Sequence, residues 1–128
     1  MNLLHIHHIA IICSDYEKSK KFYTEVLELN ILSETYREER QSYKLDLALG
    51  NQYQIELFSF PSPPKRLNYP EATGLRHIAF AVDSIEEAIT ELQKKGVYTE
   101  PLRVDEKTGK KFTFLFDPDN LPIELYEI

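Results

Sequence analysis

His8-Ile9-Ala10-Ile11-Ile12-Cys13-Ser14-Asp15 is written a second time, as His77-Ile78-Ala79-Phe80-Ala81-Val82-Asp83-Ser84. Near the end of each half, Ile55-Glu56-Leu57 recurs as Ile123-Glu124-Leu125, and the spacing from histidine to glutamate differs by one residue between the halves. Two tripeptides recurring in nearly the same register mark a duplicated unit, and a duplication governs every later reading of the chain. Four of the seven prolines lie between the copies, in Pro61-Ser62-Pro63-Pro64-Lys65-Arg66-Leu67-Asn68-Tyr69-Pro70. Proline fixes φ and has no ladder donor, so this stretch is expected to be an extended linker. The expected organisation is module one over 1–60, a linker over 61–73 and module two over 74–128.

Each half reads as a strand, a helix and three more strands. The isoleucine-rich run from His5 to Cys13 is a short buried strand. Asp15 caps a helix whose apolar side is Tyr16, Phe22, Tyr23, Val26 and Leu27. Strands follow over Asn30 to Tyr36, Ser42 to Leu49 and Tyr53 to Phe58, the last two joined by the hairpin signal Gly50-Asn51. In the second half the strand Leu75 to Val82 leads into Ser84-Ile85-Glu86-Glu87, a capping-box pattern. Ile85, Ala88, Ile89 and Leu92 then form a core stripe that ends at Gly96. Val97 to Val104, Lys111 to Phe116 and Leu121 to Tyr126 complete the module, with Thr108-Gly109 and Asp117-Pro118-Asp119-Asn120 as turns. The expected fold class is α+β, two tandem βαβββ modules.

Composition removes several classes of function. A chain of 128 residues with 42% hydrophobic content holds one compact domain of ordinary size and hides roughly two-thirds of its unfolded surface. A net charge of −6 disfavours nucleic acid or an anionic membrane as the main partner. A single cysteine, Cys13, excludes an internal disulfide framework. No run reaches the roughly 18 to 20 apolar residues of a membrane span. With neither a charged leader nor a long apolar core at Met1 to His5, a cytoplasmic location is expected.

Chemistry concentrates at the repeated residues. Alternation along a strand puts His8 with Ile6, Ala10 and Ile12, and His77 with Ala79 and Ala81. Glu56 and Glu124 stand in apolar runs, where an ionised carboxylate needs a compensating partner. Two imidazoles and two carboxylates form an N2O2 set suited to one divalent ion, with nickel or zinc favoured and cobalt or manganese compatible. By the same parity His5 and His7 point away from His8 as edge groups, and Cys13 is a small buried apolar residue. Arg37, Arg40 and Lys44 read as a solvated edge with Glu38 and Glu39. For a substrate carrying a carboxylate or phosphate, the cations to test are Arg37, Arg103, Lys110 and Lys111.

On these residues the whole chain resembles the vicinal oxygen chelate superfamily, and its ligand pattern is similar to that of glyoxalase I, the lactoylglutathione lyase. Asp117-Pro118-Asp119 ahead of Ile123-Glu124-Leu125, and the aromatic pair Phe22-Tyr23, match the same pattern. The resemblance implies the fold of glyoxalases, bleomycin resistance proteins and dihydroxybiphenyl dioxygenases, with sheets curled around a metal cavity. It implies His8, Glu56, His77 and Glu124 as metal ligands, and a homodimer acting on a small-molecule substrate. The implied reaction is proton transfer through an enediolate, on a 2-oxoaldehyde–thiol adduct or a related α-hydroxycarbonyl compound. Glu124 is then the base and Glu56 its counterpart on the opposite side. Ile12 and Phe60 stand where bacterial glyoxalase I places an arginine and an asparagine for glutathione, which leaves the thiol open. Two further readings are an epimerase acting beside a CoA thioester and a module that binds metal and ligand without turnover.

Overall fold

The computed structural model describes all residues, 1–128. The chain divides into two compact units, Met1–Pro64 and Lys65–Ile128. Within the proline-rich segment, Pro61 to Pro64 fall in the first unit and Lys65 onward in the second. From Lys65 onward it is tied into unit two: Arg66 Nη2 donates to the carbonyl of Leu75 at 2.8 Å and Asn68 Nδ2 to that of Asn120 at 2.8 Å.

In unit one the order is β1 (Ile9–Cys13), α1 (Tyr16–Lys21), β2 (Asn30–Arg37), β3 (Ser42–Leu49) and β4 (Gln52–Ser59). The Asp15 carboxylate caps α1 by accepting from the Lys18 amide at 3.2 Å. A wide π turn, Phe22–Val26, then extends the helix and closes through Leu27 N to the Phe22 carbonyl at 3.0 Å. Phe22 and Tyr23 of that turn are both buried in the core, their rings edge-on at 5.1 Å. The sheet order is β1-β4-β3-β2, with β1 parallel to β4 and the other pairs antiparallel. α1 lies against β4, and Leu45, Leu47, Ile55, Leu57 and Cys13 form the buried side of the sheet. Each buried Leu or Ile contributes roughly 1.5–3 kcal/mol.

Unit two repeats the plan with β5 (Ile78–Val82), α2 (Ile85–Lys94), β6 (Arg103–Val104), β7 (Lys111–Phe116) and β8 (Pro122–Glu127), ordered β5-β8-β7-β6. Ser84 Oγ accepts from the Glu87 amide at 3.3 Å, so the capping pattern forms, and the Glu127 carboxylate accepts from the Ile85 amide at 3.0 Å. α2 sits on β7 and β8 over Leu115, Ile123 and Thr113. The architecture is therefore α+β, two βαβββ units in tandem. No helix is long and apolar enough to cross a membrane.

Three local expectations change. The strand expected over 97–104 is reduced to Arg103–Val104, because Pro101 has no N–H to give the ladder. Ahead of it, Glu100 alone reaches β7, through its amide to the Phe114 carbonyl at 2.8 Å. β1 begins at Ile9 rather than His5, and β5 at Ile78 rather than Leu75, since pairing with β4 and β8 starts there. Both candidate histidines consequently stand one residue ahead of their strands.

Candidate metal centre

Each unit brings its own histidine and glutamate together. His8 Nε2 lies 3.5 Å from Glu56 Oε2, and His77 Nε2 lies 3.0 Å from Glu124 Oε2. Parallel registers produce this: Ala10 is opposite Glu56 and Ala79 opposite Glu124, so the histidine two residues earlier reaches the carboxylate across a methyl side chain. The glutamate side chains are 14% exposed in both units, the imidazoles about a third. Carboxylates this little exposed need partners that compensate their charge.

The spacing fits a shared ion. With metal–ligand bonds of about 2.0–2.2 Å, neighbouring donors on one divalent cation stand roughly 3.0–3.5 Å apart, over the range from octahedral to tetrahedral angles. In both units the nearer imidazole nitrogen is Nε2. Neither unit by itself adds a third His, Cys, Asp or Glu to its pair in a ligating group, so each presents one nitrogen and one oxygen.

Around the pairs the two units differ. In unit one Glu56 Oε2 accepts a short hydrogen bond from the Tyr53 hydroxyl and lies 3.6 Å from Lys44 Nζ. Tyr53 also reaches Asp46 Oδ1 at 3.0 Å, Lys44 reaches it at 3.2 Å, and Ser33 Oγ donates to Asp46 Oδ2 at 2.6 Å. Burial, and then hydrogen bonds to Glu56 and Asp46, push the Tyr53 hydroxyl far above the usual tyrosine range. For Asp46, burial acts to raise the carboxyl, but hydrogen bonds from Ser33, Lys44 and Tyr53 together hold it below its ordinary value. In unit two an apolar wall replaces this network: Phe114 is the strand neighbour of Glu124, and its ring meets that of His77 edge-on at 5.3 Å.

Tyr53 was not separable from core packing by sequence. Three positions before Glu56, it would face the other way on a regular strand. The pairing shifts at this point, with Leu47 opposite Ile55 but Ala48 opposite Tyr53. Gln54 is the extra residue of a bulge, and a bulge reverses the alternation. Asp46 was within reach, because a hairpin through Gly50-Asn51 sets it opposite Glu56.

Two further readings are corrected. Lys44 is no solvated edge group but pairs with Asp46 and Glu56 on the glutamate face. His7 is exposed as expected, yet it does not point away from His8: the two Nδ1 atoms are 2.8 Å apart and the His7 ring lies 5.3 Å from that of Tyr53. Strand parity does not hold for residues ahead of β1. A proton on His8 Nδ1 in that contact leaves Nε2 its lone pair, the tautomer a metal-binding imidazole requires.

The family model of the Glyoxalase/Bleomycin resistance protein/Dioxygenase superfamily matches residues 5–125. The chain belongs to this superfamily. Superfamily members commonly bind a divalent metal. Among its relatives, the uncharacterized protein YwkD of Bacillus subtilis (strain 168) is 65% identical over 127 residues, 99% of each chain. The crystal structure of a glyoxalase family protein from Enterococcus faecalis is 54% identical with a TM-score of 0.90, covering 96% of this chain and 97% of that one. A lactoylglutathione lyase of Schizosaccharomyces pombe (strain 972 / ATCC 24843) is 29% identical across 98% of this chain, which spans 48% of that enzyme.

Proposed function

We propose that the protein is a divalent-metal-dependent lyase or isomerase of the glyoxalase I type. It moves a proton at the carbon beside a carbonyl, in a 2-oxoaldehyde–thiol adduct or a related α-hydroxycarbonyl compound. The observation that carries this reading is the doubled pair, His8 with Glu56 and His77 with Glu124, each spaced as neighbouring ligands of one ion. His8, Glu56, His77 and Glu124 together would hold the metal, within one chain or in a homodimer. Nickel and zinc suit the donors first, and cobalt and manganese are also accepted. When bound, such an ion polarises two neighbouring substrate oxygens and lowers the cost of removing the C–H proton.

Glu124 takes the role of base. Its contact is His77 alone, whereas Glu56 is held by Tyr53 and Lys44 as well as His8. A carboxylate with fewer fixed partners is freer to reach a substrate proton. Glu56, anchored by the tyrosine, positions the opposite side. The similarity to a lactoylglutathione lyase supports the reaction class.

The test is elemental analysis of the purified protein beside its His77→Ala variant, followed by turnover assays on 2-oxoaldehydes with several thiols. A stoichiometric divalent metal that is lost in the variant, with turnover of at least one adduct, is the expected result. Protein that takes up no metal on reconstitution with nickel, zinc, cobalt or manganese would overturn the reading.

A further inference from the structure

We propose that Arg37, seated on the rings of Phe58 and Phe60, is an anion-recognition residue on the Glu56 face of unit one, so that the substrate carries a terminal carboxylate or phosphate. The inference rests on the reaction proposed above and names the substrate class for that site. Registers place the group. Arg37 pairs with Ser42, Thr35 with Lys44, Lys44 with Phe58 and Asp46 with Glu56, so all of these residues share one face of the sheet. The Arg37 guanidinium lies 4.9 Å from the Phe58 ring centre and 5.9 Å from that of Phe60. Arg40, on the turn Glu38–Arg40, stands 5.2 Å from the Phe60 ring. With Phe58 two residues beyond Glu56, an anion held at Arg37 is roughly 10 Å from the glutamate carboxylate.

The charge of Arg37 is met by ring faces and a neutral hydroxyl, not by a carboxylate. Nη2 donates to Ser42 Oγ at 2.9 Å, and Nε is sealed from solvent without an acceptor. Arg37 as a whole is half-buried, so an acceptor arriving from solution can reach it. A guanidinium lying over ring faces is attracted to them yet keeps its N–H groups for a carboxylate or phosphate. Glu38 and Glu39 of the same turn are solvent-exposed and bond neither arginine.

Arg103, Lys111 and Lys44 are already compensated, and Lys110, exposed on the turn before β7, lies in unit two. Arg103 lies over Phe112 and Phe114 at 5.0 and 5.4 Å in unit two, but Glu100 pairs with it at 3.1 Å. Lys111 is bound to Glu86 at 2.5 Å, and Lys44 is divided between Asp46 and Glu56. The uncompensated charge on the glutamate face is therefore at Arg37, with Arg40 beside it.

Two probes of equal length separate this inference from the reaction itself. Octanohydroxamate and suberic acid monohydroxamate offer the same pair of vicinal oxygens and differ by one terminal carboxylate. Calorimetric titration of the zinc-loaded protein is expected to show the carboxylate probe binding on the order of tenfold to a hundredfold tighter. Arg37→Met removes that preference while octanohydroxamate still binds, which also reports an intact fold, and Arg37→Lys retains part of it. Equal affinities in the wild type, or a preference that survives Arg37→Met, would overturn the inference. If neither hydroxamate binds, the chelate reading fails, and inorganic phosphate and acetate, titrated separately into the protein as purified, decide the anion site. A shift of the Arg37 side-chain NMR signal, assigned by its loss in Arg37→Met, supports it and tells phosphate from carboxylate. No shift with either anion overturns it.

Discussion

Glu56 and Glu124 occupy equivalent places in a duplicated unit, yet their surroundings differ. Glu124 has one polar partner and an aromatic wall, so Glu124→Gln is expected to lower turnover by on the order of 10²–10⁴-fold. Single-turnover kinetics run beside metal analysis checks this, and full turnover with the metal retained would remove Glu124 from the base role. Tyr53 belongs to the other glutamate. Its one O–H lies between the Glu56 and Asp46 carboxylates, and Tyr53→Phe leaves both without it. A loss of about 1 kcal/mol is expected in urea denaturation, from a pair of carboxylates left with one donor fewer.

At the scale of elements, the helix starts and the edge of unit one make separate contributions. Asp15→Ala removes the cap of α1, and Ser84→Ala that of α2; each is expected to cost about 1 kcal/mol in equilibrium unfolding. α1 is also tied to β2, where Glu34 accepts from Lys20 at 2.7 Å and from the Tyr16 hydroxyl. The hydrogen bonds from Lys20 and Tyr16 hold the Glu34 carboxyl below its ordinary value. A carboxyl depressed in the folded state adds stability above its unfolded pKa and loses it as pH falls through the folded one. Glu34→Gln is therefore expected to destabilise at pH 7 and to make little difference near pH 2, where wild type and variant should unfold at similar urea concentrations.

For the whole molecule, the proposed ion couples function to stability. A metal that binds the native chain and not the unfolded one stabilises it by about 2.7 kcal/mol at a hundredfold excess over its Kd. Thermal unfolding with and without added nickel or zinc should show a rise in Tm for the wild type and none for His77→Ala. An equal rise in both would place the ion elsewhere. The superfamily scaffold accommodates different chemistries by changing the side chains on its sheet faces, and here those faces differ between units, polar around Glu56 and aromatic around Glu124.

The duplication, the order of elements, both helix caps and the His–Glu pairs were legible in the linear sequence. These depend on local chemistry: period-2 and period-3.6 patterns, capping residues and turn glycines act over a few neighbours. The short β6 was legible in principle from Pro101, but the full extent of a strand depends on what its neighbour can pair. The contact of His7 with His8 and the place of Tyr53 beside Glu56 were not legible. The first arises because pairing begins at Ile9, and the second because a bulge at Gln54 reverses the facing of the residues before it. The sequence by itself determined two βαβββ units and which imidazole belongs with which carboxylate. Only the tertiary structure decided that one carboxylate is clasped by tyrosine and lysine, that the other stands against a ring, and that Arg37 keeps its charge uncompensated above two phenylalanines. Those outcomes depend on strand register and on which side chains meet across it, and register is a property of paired strands, not of either one alone.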